Sequence, residues 1–241
     1  MAIMRILIIG AGRAGRSFAA ALGEDHDVTL VHHDGLPTDI DVDLVLLCVP
    51  DDAIKEIARE VRVSPDTVVA HVAGSRGLDV LVGHARVGSL HPLLTMPDAS
   101  IGARRLRGGV FAVEGDVLLG EVIASLGART ITVPVEMRTL YHATATSAAN
   151  HLVAMMGHVQ ALAHAAGLEL DDFLPLAQQS LDDVEEFGPG RALTGPASRG
   201  DVATIAAHLE AIPDEERATY AALAERARRL ADTVKATSWN A

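Results

Sequence analysis

The chain has little cysteine and no long apolar run, and each shortage excludes a class of protein. A single cysteine, Cys48, among 241 residues allows neither an internal disulfide nor a cysteine-rich zinc site. No apolar segment approaches the length that spans a bilayer, and the one before Gly10 is too short for the core of a signal peptide. We therefore expect a cytoplasmic protein with no membrane partner.

Basic and aromatic residues are also scarce. The sequence has 20 Lys and Arg against 32 Asp and Glu, which gives a net charge of −12. That charge would repel nucleic acid, so no nucleic-acid partner is expected, and an anionic ligand must meet a local basic patch. Because aromatics make up only 3% of the residues, the core must consist of small aliphatic side chains.

The residues after the first apolar run form a pattern typical of dinucleotide binding. Gly10, Gly12 and Gly15 follow residues 5–9 directly and have the spacing G-x-G-x-x-G. The first glycine permits a tight turn, the second lets the backbone approach a pyrophosphate, and the third lets helix pack on strand. The N–H groups of the following helix, which includes Ala14, would then bind the phosphates. A turn without a nucleotide is the alternative interpretation.

The end of the second predicted strand distinguishes between two cofactors. An acidic residue there would bind the ribose hydroxyls of NAD, whereas a basic one would accommodate the extra phosphate of NADP. This chain has His32 and His33 at that point, and Arg13 or Arg16 could lend charge to the phosphate. The pattern favours NADP, while Asp34 keeps NAD as an alternative.

Strand-like and helical segments alternate up to Pro134. The predicted strands are residues 5–9, 27–31, 43–49, 67–72, 86–90, 109–113 and 129–133. The predicted helices between them include residues 51–61 and 116–126. This alternation predicts an α/β fold with a doubly wound, mostly parallel sheet.

After Glu136 the sequence contains no convincing strand. The predicted helices there are residues 141–166, 170–187, 201–211 and 214–234. We therefore predict a Rossmann-like, NAD(P)-binding domain over residues 1–134 and an all-α domain over residues 135–241.

Val49 and Pro50 end the third predicted strand at the carboxyl edge of the sheet, where ligands of such sheets bind. We expect their main chain to contact the cofactor. Pro50 with Asp51 and Asp52 is also typical of a capped helix start, and the two interpretations are compatible. Cys48 is expected to be a buried small side chain rather than a nucleophile.

Several later polar residues are candidates for chemistry. His91 ends a predicted strand near the expected nicotinamide, where a neutral imidazole could exchange a proton with a substrate hydroxyl; a structural role is the alternative. His142 and Asn150 lie roughly on one side of the predicted helix 141–166. Arg199 could bind a carboxylate through two hydrogen bonds, with a structural turn as its alternative, and Asp201 is its neighbouring predicted helix cap.

The remaining histidines do not predict a metal site. His151, His158 and His164 share only a loose helical stripe, without the spacing of metal ligands. No metal is therefore expected.

The order of these motifs resembles a family of oxidoreductases in which a Rossmann-like domain precedes the helical domain of unknown function 2520. Besides the glycines, the residues that carry the resemblance are 46–51, 71–75, 89–93, 141–143 with 150, 193–196, 199–201 and 208–209. The family is similar in plan to ketopantoate reductase, pyrroline-5-carboxylate reductase and 6-phosphogluconate dehydrogenase. The resemblance implies NADP(H), a helical domain of the 6-phosphogluconate-dehydrogenase type, a cleft between domains and a homodimer formed through the helices.

The resemblance also bears on single residues. Hydroxyacid dehydrogenases of this group have a catalytic lysine three or four residues before a helix asparagine, but this chain has Ser147 and Thr146 before Asn150. The segment that contains His91 is similar to the histidine-proline motif of prephenate dehydrogenases, which makes His91 the first choice of acid or base and His142 the second.

The expected function is NADP-dependent transfer of a hydride to or from a small metabolite that bears a carboxylate and a carbonyl, hydroxyl or imine carbon. His91 or His142 would handle the proton and Asn150 would orient the substrate, while Ser75, Thr194 and Arg199 would bind it. A regulatory protein that binds NADP without turnover is one alternative, prompted by the missing lysine. A dimerisation module with a vestigial glycine loop is another.

Overall fold

The computed structural model describes the backbone of residues 2–238 and the side chains of residues 2–234. The chain forms two compact units, a first unit up to Ala149 and a second unit from Asn150 onward.

A seven-stranded sheet, counted over the described residues, is the centre of the first unit. Its strands are β1 (Arg5–Ile9), β2 (Asp27–Val31), β3 (Leu44–Leu47), β4 (Val68–His71), β5 (Arg86–Pro92), β6 (Val110–Gly115) and β7 (Arg129–Ile131). Their order is β2-β1-β3-β4-β5-β6-β7, and only β5 and β6 pair antiparallel. The chain runs from β1 to one side and then returns to the other, so the order reverses between β1 and β3. The predicted α/β fold with a doubly wound, mostly parallel sheet is confirmed.

Five α-helices occur among the described residues of the first unit. They are α1 (Arg13–Leu22), α2 (Ile54–Glu60), α3 (Ala99–Leu106), α4 (Leu118–Ser125) and α5 (Arg138–Thr146). Short 3-10 segments lie at Leu78–Leu81 and Val135–Met137.

The apolar side chains of the strands pack on both faces of the sheet. Along β1, Ile6 and Ile8 enter one core cluster while Leu7 and Ile9 enter the other. This alternation follows the two-residue period of a strand and buries the central strands on both sides. Phe18 of α1 packs against a second ring, Phe111, but aliphatic side chains make up most of both clusters, as the composition predicts.

Helix α3 is not predicted from the sequence, because the segment has few large apolar side chains. Asp98 caps it by accepting a hydrogen bond from the backbone N–H of Ile101, 2.8 Å away. A Cβ on Gly102 would lie 2.1 Å from Oγ of Ser17, so the missing side chain lets α3 cross α1 closely. Tertiary packing on α1 therefore stabilises α3 in addition to its local cap.

The predicted helix start at Pro50 and Asp51 is wrong. Residues 51–53 form a turn, α2 begins at Ile54, and no side chain caps it. The Asp51 carboxylate instead accepts a hydrogen bond from Oγ of Ser75.

The second unit contains helices and no strand within the described residues. Its helices are α6 (Leu152–Ala165), α7 (Leu174–Phe187), α8 (Pro189–Ala192), α9 (Pro196–Arg199), α10 (Val202–Ala211) and α11 (Asp214–Ser238), with a 3-10 segment at Leu170–Asp172. The Asp201 side chain caps α10 by accepting from the N–H of Thr204, as predicted.

The single helix predicted over residues 141–166 is interrupted. A π-helical turn, Ser147–His151, separates α5 from α6. The hydroxyls of Thr144 and Ser147 bond to the carbonyls of Leu140 and Ala143, a type of contact that accompanies bent helices.

Along the sequence, the boundary between the two compact units lies about fifteen residues after the predicted boundary at residues 134–135. Helix α5 belongs to the first unit because Arg138 and Tyr141 bond to groups of its sheet. The functional domain boundary stays a prediction. None of the described helices has the length and apolar composition needed to cross a membrane.

Candidate functional site

The glycine loop between β1 and α1 lies at the point where the strand order reverses. Gly10 has a φ of +112°, and a Cβ there would lie 2.3 Å from the Cys48 carbonyl oxygen at the end of β3. A Cβ on Gly15 would lie 1.8 Å from the Gly10 carbonyl oxygen. Both positions therefore require glycine, one for the turn and one for the close packing of helix on strand.

Gly12 differs because the space beside it is open. Apart from Gly12 and its adjoining backbone, no atom of the described residues lies within 4 Å of the position that its Cβ would occupy, and the residue is exposed at the start of α1. The first N–H groups of a helix have no partner within it. The loop thus presents backbone donors and the positive end of a helix dipole to a space that a phosphate could enter.

Two arginines flank this loop. Nε of Arg16 donates a hydrogen bond to the Ala11 carbonyl, 2.7 Å away, and thereby braces the turn. The Arg13 side chain is exposed in the first turn of α1. Arg13 is therefore free to swing towards an anion at the loop.

The histidines after β2 form a polar cluster at the same edge of the sheet. The rings of His32 and His33 stand 4.5 Å apart, and Nδ1 of His32 lies 2.6 Å from the Asp34 carboxylate. The hydrogen bond from His32 lowers the pKa of Asp34. His32 occupies one of the two Asp34 carboxylate oxygens, and the exposed side chain keeps acceptor capacity for a ribose hydroxyl.

The end of β3 supplies backbone to the crevice. The N–H of Cys48 donates to the Ile9 carbonyl, which joins β3 to β1 just before the glycine loop. Val49 is half-buried and Pro50 is exposed. Burial raises the pKa of the Cys48 thiol, which is consistent with the predicted role as a small core side chain.

Four residues from three segments converge at the carboxyl edge of β4 and β5. Nδ1 of His91 lies 2.7 Å from the Tyr141 hydroxyl, and the rings of His91 and His142 are 6.0 Å apart. A Cβ on Gly74 would lie 2.7 Å from Nε2 of His91 and 2.8 Å from Cδ2 of His142. The absence of a side chain at Gly74 is what allows the two histidines to approach. We call His91, Tyr141, His142 and Gly74 the histidine cluster.

The surroundings of His91 keep its imidazole neutral. Burial lowers its pKa to about 4, and the nearby His142, Arg138 and His71 act in the same direction, while Asp51 opposes them. At neutral pH this imidazole can accept a proton but carries no charge.

Tyr141 retains its proton at neutral pH, because burial raises its pKa. The hydrogen bond to His91 thus joins a neutral phenol to a neutral imidazole, and the phenolic O–H or the imidazole N–H can supply its hydrogen.

Arg138 precedes Tyr141 on α5 and bonds to groups of the sheet beside the histidine cluster. It is 7% exposed, and it donates to the Arg76 carbonyl at 2.8 Å and to Oγ of Ser89 at 3.3 Å. It also forms an ion pair with Glu114. One side chain therefore ties α5 to β5, to β6 and to the loop after β4.

His71 shapes that loop rather than contacting open space. It is fully buried, its Nδ1 accepts from the N–H of Ala73, and its Nε2 lies 3.2 Å from the Gly77 carbonyl. Because Nδ1 accepts, the proton must be on Nε2, which donates to Gly77. Burial lowers the pKa of His71 and keeps this arrangement neutral.

The structure brings together three of the predicted substrate or catalytic residues: His91 and His142 in the histidine cluster, and Ser75, which follows Gly74. The other three, Asn150, Thr194 and Arg199, belong to the second unit, where all three are exposed. Their roles stay predictions.

Tyr141, Arg138 and Glu114 belong to this site but are not among the residues predicted from the sequence. Tyr141 adjoins His142 in a recognised motif, so its position next to a candidate histidine was a usable signal. Arg138 and Glu114 gave no local signal, since each is one charged residue in an ordinary segment. Their importance comes from burial and from strand pairing. No three potential metal ligands gather in the part of the chain that the structure describes.

Two family models match the chain. Residues 36–97 match the family described as a Rossmann-like domain, and residues 110–227 match DUF2520, a domain of unknown function. These matches confirm the resemblance inferred from the motifs. The glycine loop precedes the first matched residue, so its interpretation depends on geometry. Comparison with curated proteins gave no match.

Several solved structures share the fold. A candidate NADP oxidoreductase from Bacteroides fragilis is 21% identical, with a TM-score of 0.76 over 94% of this chain and 98% of that one. A reductive aminase from Aspergillus terreus, in complex with NADPH and ethyl levulinate, is 16% identical, with a TM-score of 0.69 over 98% of this chain and 100% of that one.

The 1-pyrroline-5-carboxylate reductase of Streptococcus pyogenes is 16% identical, with a TM-score of 0.58 over 96% of this chain and 99% of that one. Because these similarities extend over nearly the whole length of each protein, they show a shared fold.

Proposed function

We propose that this chain, which combines a Rossmann-like domain with a DUF2520 domain, is an NADP-dependent oxidoreductase of a small metabolite. The observation that carries the proposal is the contrast within the glycine loop. Gly10 and Gly15 are required by packing, whereas Gly12 faces open space at the start of a helix. A loop kept only for folding would not need glycine at the open position.

Several residues would hold the cofactor. The N–H groups from Gly12 to Gly15 would bind the diphosphate, and the main chain of Val49 and Pro50 would line the crevice beyond it. When bound, the nicotinamide supplies or accepts the hydride.

The 2′-phosphate of NADP would be met by His32, His33 and Arg13. The position of His32 and His33 just after β2 supports this choice, because a basic side chain there would accommodate the extra phosphate of NADP. A protein of similar fold also supports it, because the reductive aminase of Aspergillus terreus is in complex with NADPH.

The histidine cluster would handle the proton. When a substrate hydroxyl or amine is oxidised, its carbon loses a hydride and its oxygen or nitrogen loses a proton. His91, which is uncharged at neutral pH, would accept that proton, and its lowered pKa makes the protonated ring a strong acid that passes the proton on. In the reverse direction the same group returns it. His142 is the second candidate.

The substrate would be a small carboxylate-bearing keto, hydroxy or imine compound. Among the residues of the second unit, Asn150 would orient the reacting oxygen or nitrogen, while Arg199 and Thr194 would bind the carboxylate. In the first unit Ser75 would contact the substrate, although its hydroxyl bonds to Asp51 in the present structure. Two proteins of similar fold, a reductive aminase and a pyrroline-carboxylate reductase, support an imine or a carbonyl as the reacting group.

We also propose that the protein is a homodimer formed through the second unit. A groove of about 1,110 Å³ lies along α6 and α7, lined by apolar side chains that include Met156, Phe173 and Leu181. Leu176 is 61% exposed and Val153 is 70% exposed. Large exposed apolar patches mark interaction surfaces.

Calorimetric titration and a substrate screen test the proposed function. NADPH should bind at least about tenfold more tightly than NADH, a difference of about 1.4 kcal/mol. With NADPH bound, a panel of small keto acids and cyclic imines should include a compound whose reduction lowers the absorbance of NADPH.

Arg199→Ala should raise the KM for an anionic substrate without a matching loss of kcat. If neither NADPH nor NADH binds, the proposal is contradicted.

The second candidate function is a regulatory protein that binds NADP without turnover. The residues where related dehydrogenases have a lysine are Thr146 and Ser147, and the Ser147 hydroxyl is bonded to the Ala143 carbonyl. Tight NADPH binding together with no turnover across the panel would favour this function.

A further inference from the structure

Two parallel cross-links connect α5 to the sheet beneath the histidine cluster. Arg138 and Tyr141 are three residues apart on α5 and so lie on one face of the helix. Ser89 and His91 are two residues apart on β5 and lie on one face of the strand. Arg138 bonds to Ser89, and Tyr141 bonds to His91.

The neighbouring strand completes the first cross-link and makes room for the second. In the antiparallel pairing of β5 with β6, Ser89 is opposite Glu114 and His91 is opposite Ala112. Glu114 therefore projects beside Ser89 and receives the Arg138 guanidinium, whereas the small Ala112 leaves space beside the imidazole.

The Arg138 side chain is more deeply buried than that of Arg86, which forms an ion pair with Asp116 at the same sheet. The Arg138 side chain is 8% exposed and Glu114 is 25% exposed, and Nε of Arg138 is buried with no hydrogen-bond partner among the described residues. Replacing such a pair by apolar side chains is often neutral or stabilising, so a buried pair is weak evidence for a stability role. The three different partners of Arg138 instead fix the position of α5 on the sheet.

We propose that the Arg138–Glu114 pair is a positioning device that holds Tyr141 against His91 and thereby sets the proton-handling geometry of the site. The proposal depends on the proposed function for its catalytic meaning. Arg138 acts through other residues: its partners are the Arg76 carbonyl, Ser89 and Glu114, none of which belongs to the histidine cluster.

The charge of Arg138 contributes to the same end. It lowers the pKa of His91, of Tyr141 and of His71. The other charged or titratable groups that act on His91 are His142 and Tyr141 from α5, Asp51 from the turn after β3, and His71 from β4. Removing the pair would take away this positive charge and, by loosening Tyr141, let water reach the imidazole, and both effects raise the pKa of His91.

The test is NMR titration of the His91 imidazole in the full-length chain without ligand. In the variant R138Q/E114Q, which removes both charges, the pKa of His91 should rise by at least about one unit from about 4. Where the chain turns over substrate, kcat should fall by about tenfold or more, while the Kd for NADPH should stay within about twofold, because the glycine loop is untouched.

The chain provides a matched control. Arg86 on the same strand bonds to both oxygens of Asp116 at 2.7 and 2.8 Å, at the end of β5 opposite to His91. The variant R86Q/D116N removes a comparable ion pair from the sheet. It should leave the His91 titration unchanged even if it lowers the melting temperature as much.

R138K keeps the positive charge but cannot bond to three partners in fork geometry. It should raise the pKa of His91 by about half a unit and provides the measurement should R138Q/E114Q not fold. An unchanged His91 titration in a folded R138Q/E114Q, or in R138K when the double variant does not fold, overturns the proposal. Because the titration needs no NADP and no turnover, it is independent of whether the proposed function holds.

Discussion

At the scale of single residues, Gly12 is the position where folding and ligand binding make separable demands. Gly12→Asp should fold, because aspartate is a preferred helix cap and the space is open. Its carboxylate would occupy the phosphate space and repel the diphosphate. Calorimetry should show NADPH affinity reduced by about tenfold or more, with the melting temperature within a few degrees of the parent.

Gly15→Ala is the matched comparison for that loop. Its Cβ would lie 1.8 Å from the Gly10 carbonyl oxygen, so the variant should lose stability rather than only affinity. Undiminished NADPH binding by Gly12→Asp would remove the loop from the cofactor site.

The depressed pKa of His91 predicts a dependence of stability on pH. The unfolded imidazole takes up a proton near pH 6.5, whereas the folded one does so only near pH 4. The unfolded state therefore gains stability as the pH falls through this range, and the folded state is favoured most above pH 6.5. Between pH 7.5 and pH 5 the contribution should be about 2 kcal/mol.

Urea unfolding of the parent and of His91→Gln at those two pH values measures this effect. The variant should lose less stability than the parent between pH 7.5 and pH 5. Burial also lowers the pKa of His26 and His71, so both proteins should still lose some stability on acidification. Equal losses in the two proteins would contradict the assignment to His91.

At the scale of elements, the close crossing of α1 and α3 stabilises a helix that has few large apolar side chains. Gly102→Ala would place a Cβ 2.1 Å from Oγ of Ser17, so it should lower the free energy of unfolding by about 1–3 kcal/mol. Denaturant unfolding measures this change.

Gly120→Ala is the same substitution in α4 with the opposite expected sign. No atom lies within 4 Å of the new Cβ, and a helical alanine should stabilise by about 0.5–1 kcal/mol. A stabilising Gly102→Ala would mean that α3 does not cross α1 as closely as described.

At the scale of the whole molecule, the apolar surface of the second unit predicts the oligomeric state. Light scattering after size-exclusion chromatography should give twice the mass of one chain. Leu176→Arg should shift the protein to monomer, because a charge in a buried apolar interface is costly.

Val117 offers a control for that variant. It is an apolar residue of the first unit that is 83% exposed, and Val117→Arg should leave the dimer intact. A monomeric parent protein, or a Leu176→Arg variant that remains dimeric, would contradict the proposed interface.

What the sequence determined by itself is local or periodic. The glycine loop, the strands β1 and β2, whose bounds match the predicted ones, and the Asp201 cap depend on neighbouring residues, so their signals are visible in a few letters. The doubly wound sheet follows from the alternation of such segments. The central strands β1, β3 and β4 are buried on both faces, and their apolar runs show this directly.

Only the tertiary structure decided which distant residues share a site. Arg138, Glu114 and Ser89 are brought together by the register of β5 on β6, and Asp51 bonds to Ser75 instead of capping α2 because β3 and β4 are neighbours. Strand order and register depend on the packing of the whole unit, since each is selected by the free energy of burying all strands at once. No short stretch of sequence contains that information, and the histidine cluster, including the space that Gly74 leaves, arises from it.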